Sequence, residues 1–158
     1  MKKYFVIYKH HMQKSIIYNS DCKKDYRLIQ FYNLTETYIQ QYCRKIFYNT
    51  LISYGKQELG LFQQNDNGAE GTVGNKRRKK AEGTIAGFPD VSLVLKGGIV
   101  IYIEFKRVGT PSQIVVSDSQ KEIHQKLKNL GYTVYLINNP VYFQDVVMQD
   151  VLNNLKHN

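Results

Sequence analysis

Tryptophan is absent from this chain of 158 residues, proline occurs three times and cysteine twice. Cys22 and Cys43 stand alone, with no C-x-x-C pair. That excludes a zinc-ribbon site and a thioredoxin-type motif, and free thiols fit a reducing compartment. Long apolar runs are missing too. Tyr4-Phe5-Val6-Ile7-Tyr8, behind Lys2 and Lys3, is too short for a secretory signal. No segment approaches the ~20 apolar residues of a helical membrane span. The expected location is therefore intracellular: cytoplasmic, organelle-internal or viral in origin, with no membrane partner. Acid is scarce, with 13 Asp and Glu against 22 Lys and Arg, a net charge of +9 and a pI near 9.4.

What is present suits one globular domain with a real core, at 42% hydrophobic and 13% aromatic residues. The positive charge is localised. Residues 1–34 carry +5 (seven bases, two acids), and Lys76-Arg77-Arg78-Lys79-Lys80 carry another +5. Residues 35–75 sum to −1 and residues 81–158 to zero. Two such patches suggest neutralisation of nucleic-acid phosphates, with a membrane surface as the competing partner.

The chemistry concentrates in residues 87–107, where two aliphatic runs flank Lys96-Gly97-Gly98. Glycine supplies the positive φ of a tight hairpin loop. A three-residue loop sets Leu95 opposite Ile99, Leu93 opposite Ile101 and Val91 opposite Ile103. These aliphatic pairs fix the register of a half-buried hairpin. Asp90 then falls opposite Glu104 on the other face, which Lys106 shares by alternation. Two close carboxylates repel unless a cation separates them or one is protonated. Hard oxygen ligands suit Mg²⁺, with Mn²⁺ as the other ion the set accepts. A lysine beside them can orient a water. The bland alternative is an edge ion cluster in which Lys106 neutralises Glu104.

Gly87-Phe88-Pro89-Asp90, then Glu104-Phe105-Lys106, then Ser117-Asp118-Ser119-Gln120 and a turn at Gly131 resembles the VRR-NUC family of PD-(D/E)xK nucleases over about residues 35–147. The resemblance implies an α/β fold: a PD-(D/E)xK restriction-endonuclease-like core, with a central mixed β-sheet flanked by helices. It implies Asp90, Glu104 and the Phe105 carbonyl as metal ligands, Lys106 as the water-activating residue and Gln120 as its partner. Glu36 can add to the metal site on the same grounds; otherwise it is a first-turn carboxylate favoured by the helix dipole.

The remaining chain divides into a basic extension, residues 1–34, and a nuclease-like domain, residues 35–158. Residues 3–9 read as a strand. The adjacent His10 and His11 are expected to point in different directions, which argues against a shared metal. Residues 35–55 read as a helix, with Thr35 as N-cap, Gly55 as its stop and Ile39, Tyr42, Cys43, Ile46, Phe47 and Leu51 at helical spacing. Residues 59–64 read as a strand and 65–86 as a Gly- and Asn-rich loop. Lys76–Lys80 in that loop, with Arg107, are expected to hold a phosphate backbone; a solvated loop or a localisation signal is the alternative.

Ser117 is the expected N-cap of the next helix. Gln120, Ile123, Leu127 and Leu130 share one face, which makes Gln120 the polar member of a core-facing stripe. His124 could reach the cleft from one turn on, though such a histidine is more often at the surface. Gly131 ends this helix, 132–137 forms a strand and 141–155 a closing helix through Val146, Val147, Val151 and Leu155.

The expected activity is Mg²⁺-dependent hydrolysis of DNA phosphodiesters, structure-selective for branched or junction DNA, and by resemblance performed by a homodimer. The alternatives are a site-specific homing or restriction-type endonuclease, and a nucleic-acid-binding subunit that retains the nuclease fold.

Overall fold

The computed structural model describes residues 35–65, 78, 81, 83–107 and 115–156. The 3–9 strand, the rest of the 1–34 extension and Lys76, Arg77, Lys79 and Lys80 lie outside them. Helix α1, Glu36–Ser53, is capped by the Thr35 side chain, which accepts from the Tyr38 N–H at 3.2 Å. Its chain leaves through Gly55 at φ 62°, the stop expected from sequence. A short 3₁₀ turn, Gln57–Leu59, delivers strand β1, Gly60–Gln64. Gly60 passes so close to α1 that a Cβ there would stand 2.9 Å from the Phe47 ring.

Strands β2, Val91–Leu95, and β3, Ile99–Phe105, form the hairpin in the expected register: Leu95 opposite Ile99, Leu93 opposite Ile101, Val91 opposite Ile103. Gly97 and Gly98 turn it at φ 87° and 77°. Helix α2, Asp118–Asn129, then carries the chain to β4, Thr133–Ile137, which pairs parallel with β3. The sheet order is β1-β2-β3-β4, antiparallel except for the last pair. The fold is thus α/β with a mixed sheet, as expected.

The closing segment begins as helix α3, Pro140–Tyr142, passes through a π turn at Phe143–Val147 and continues as α4, Met148–Asn154. Val147, Val151 and Leu155 are buried as expected, joined by Phe143 and Met148, whereas Val146 is only half-buried.

The alternation of β3 sorts two layers. Ile101, Ile103 and Phe105 point into the main core with Phe62, Leu93 and Leu95, where Ile39, Cys43, Phe47 and Leu51 of α1 meet Phe143, Val147 and Val151. Burial pushes the Cys43 thiol well above its ordinary value, so it is an inert core residue. The other face of β3 carries Tyr102 and Glu104, and α2 reaches it.

One expectation about α2 fails. Leu127 is buried, but Leu130 is 73% exposed. The helix ends at Asn129 with Leu130 as its C-cap, so the apolar stripe stops one turn early and Gly131, at φ 89°, redirects the chain into β4.

Candidate functional site

The site forms where the ends of β2 and β3 meet the first turns of α2. The β2–β3 ladder ends at Val91 opposite Ile103, and Asp90 stands one residue beyond it. Its carboxylate stays at the sheet: Oδ2 accepts the Phe105 N–H at 2.7 Å. Asn65 clips the approach to it. The Asn65 N–H donates to the Asp90 carbonyl at 2.8 Å, and its side-chain amide donates to the Pro89 carbonyl and to Ser92 Oγ, both at 2.9 Å. From sequence Asn65 begins a loop, and no local pattern marks it as a clip.

Glu104, 1% exposed, is the buried acid of the site. Its Oε1 receives Lys106 Nζ at 2.8 Å and the Gln120 side-chain amide. Gln120 Oε1 in turn accepts Lys106 Nζ at 3.2 Å and the Ser117 N–H at 3.0 Å. Ser117 Oγ accepts the Gln120 N–H, so a capping box holds the side chain that bridges acid and amine. Gly87 brings this helix end to the strand. At φ 81°, a Cβ on it would lie 2.5 Å from the Ser119 carbonyl carbon and oxygen, space that glycine alone leaves open.

Glu104 Oε2 is fully enclosed and has no hydrogen-bond partner. Facing it at 3.7 Å is His124 Nε2, also enclosed and unpartnered. The side chain of His124 is 12% exposed, so this histidine belongs to the cleft and not to the surface. Burial lowers its pKa, and the nearby Lys128 and Lys106 charges add to that. The Glu104 pKa is pushed up to about 7, chiefly by burial. The Lys106 hydrogen bond opposes the rise; Asp90 and Glu36 add to it through their negative charge.

The sequence-derived candidates thus separate. Asp90, Glu104, Lys106 and Gln120 converge. Glu36 is exposed, but its Oε1 accepts the Arg107 N–H at 3.3 Å and its charge is felt at Glu104. Phe105 places its ring in the core and its N–H on Asp90. Arg107 is exposed beside the site, and Arg78 is exposed within the basic run. Among the described residues, no three His, Cys, Asp or Glu side chains form a ready-made metal cage.

No family model matches the chain. No curated protein matches it either. Solved structures do. One, "VRR_NUC domain protein", superposes with a TM-score of 0.54 at 20% identity, covering 74% of this chain and 88% of its own. The chain has the VRR_NUC fold. A second, "VRR_NUC domain", gives a TM-score of 0.49 at 16% identity over 73% of this chain and 97% of its own. The VRR_NUC fold accounts for the mixed sheet and flanking helices. No helix among the described residues is long and apolar enough to cross a membrane.

Proposed function

We propose that this protein is a metal-dependent endonuclease that hydrolyses DNA phosphodiesters. One observation carries the reading: a buried glutamate whose Oε1 is held by Lys106 and Gln120 while its Oε2 is left without a partner. A buried unsatisfied carboxylate oxygen is costly. In a site with a second carboxylate at Asp90, a divalent cation is the group that would satisfy it. The donor set fits Mg²⁺ or Mn²⁺, with Glu104 and Asp90 as the side chains to hold it and the Phe105 carbonyl and Glu36 as further oxygens. When bound, such an ion polarises a phosphate and favours ionisation of water. The name of the VRR_NUC structures supports the nuclease class.

The residues of the chain have distinct tasks in this reading. Lys106, fixed by Gln120, presents its ammonium to the attacking water or the phosphate oxygen. Gln120 keeps that ammonium from rotating away. Arg107 and the basic run Lys76, Arg77, Arg78, Lys79 and Lys80 grip the backbone, which contributes affinity without sequence preference. In this reading the substrate is branched or junction DNA and the working unit a homodimer, both on the resemblance to the VRR-NUC family alone.

The test is cleavage of linear, flap and four-way DNA with Mg²⁺ and with EDTA. Asp90→Ala and Glu104→Ala are expected to abolish cleavage while DNA binding remains measurable. Lys106→Ala is expected to slow turnover strongly. Undiminished cleavage by purified Glu104→Ala would overturn the assignment.

A further inference from the structure

We propose that His124 is a direct metal ligand, joining Glu104 through its Nε2 and turning an all-oxygen site into a mixed nitrogen–oxygen one. The inference rests on the metal reading above and goes beyond it in naming a ligand that the strand carboxylates do not supply.

The geometry is specific. Glu104 Oε1 is taken up by Lys106 and Gln120, so the free coordinating capacity of this carboxylate lies on Oε2. Among the described residues, the two enclosed side-chain polar atoms without a hydrogen bond are Glu104 Oε2 and His124 Nε2, and they face each other at 3.7 Å. That is too long for an N–H···O bond, which spans about 2.7–3.2 Å. It is close to the separation of two donors on one ion, roughly 3.0–3.5 Å for bonds of about 2.0–2.2 Å. A cation between them satisfies both atoms at once.

The local fold delivers His124 to this place. It lies four residues after Gln120 on α2, hence on the same helix face, one turn further along. The capping box that anchors Gln120 therefore also sets the position of His124. Glu104, Asp90 and Glu36 supply the negative charge that draws in a cation.

A nitrogen donor changes which ion the site prefers. Mg²⁺ demands hard oxygen ligands, whereas imidazole favours first-row transition ions. The site is therefore expected to bind Mn²⁺ in preference to Mg²⁺, and His124→Gln to lose much of that preference.

The experiment uses Mn²⁺ alone, added to the full chain without DNA. Calorimetry gives affinity, Mg²⁺ competition gives selectivity, and electron spin echo envelope modulation reports nitrogen bound to Mn²⁺. Wild type should bind Mn²⁺ with a nitrogen coupling that moves when histidine is ¹⁵N-labelled. His124→Gln should lose the coupling and bind Mn²⁺ at least about tenfold more weakly. A triple variant, His10→Gln with His11→Gln and His157→Gln, leaves His124 as the sole histidine and should keep the coupling. It serves as the test if His124→Gln does not fold. Mn²⁺ binding that depends on Glu104 but shows no nitrogen coupling, or a coupling that the triple variant loses, overturns the role of His124 and leaves the metal reading standing. Failure of wild type to bind Mn²⁺ at any Glu104-dependent site overturns the metal reading itself.

Discussion

Gln120 bridges the acid and the amine of one site: its amide nitrogen donates to Glu104 Oε1, and its oxygen accepts Lys106 Nζ at 3.2 Å. Lys106 closes the ring by reaching the same Glu104 oxygen at 2.8 Å. Three side chains from a strand, the segment after it and a helix thus hold one another in place.

Gln120→Ala opens that ring and removes half of the capping box. Turnover is expected to fall about 10–100-fold, the scale on which outer partners of a site act. Divalent-ion affinity should change much less, since Gln120 is a positioning residue. The loss of its cap bond costs about 1 kcal/mol of stability. Kinetics alongside Mn²⁺ calorimetry check this, and a parallel loss of ion binding would make Gln120 part of the ion site.

Gly87→Ala tests the closeness of helix and strand. The left-handed backbone at φ 81° and the 2.5 Å approach to the Ser119 backbone both oppose a side chain. A cost of at least about 2 kcal/mol is expected, read from the denaturant midpoint at unchanged m. A midpoint like that of wild type would mean that α2 does not sit this tightly on the loop.

Stability should depend on pH through Glu104. Its pKa in the fold, about 7, lies above the ordinary 4.5, so the native state holds this proton more tightly than the unfolded chain. The contribution is complete below the unfolded value and is lost as pH rises through 7, by roughly 3 kcal/mol at most. Glu104→Gln should flatten this slope in metal-free protein. Mn²⁺ should raise the wild-type melting temperature most above pH 7, where the carboxylate is free to bind.

The basic run supplies a salt signature. Each phosphate contact contributes a slope of about −0.9 in log K against log salt on duplex DNA. Replacing Lys76, Arg77, Arg78, Lys79 and Lys80 by Ala should flatten that slope by several units and leave sequence preference nearly unchanged. Titration with Ca²⁺ in place of Mg²⁺ measures it without cutting. An unchanged slope would mean that the run takes no part in DNA binding.

Local rules sufficed for the pieces of this protein. Opposed aliphatic pairs and two glycines determined the hairpin register, because a slip of one residue would turn Leu93 and Ile101 out of the core. Alternation along β3 put Glu104 and Lys106 together, and Thr35 and Ser117 announced helix starts through their own cap bonds. Only the tertiary structure decided what each face meets. Periodicity groups Gln120 with Leu130, yet it does not tell that Leu130 lies past the helix end in solvent while His124 closes over Glu104. The clip made by Asn65 and the close approach at Gly87 are contacts between residues 24 or more positions apart. The first follows from the pairing of β1 with β2 and the second from how α2 docks on the sheet, neither of which a nearest-neighbour pattern encodes.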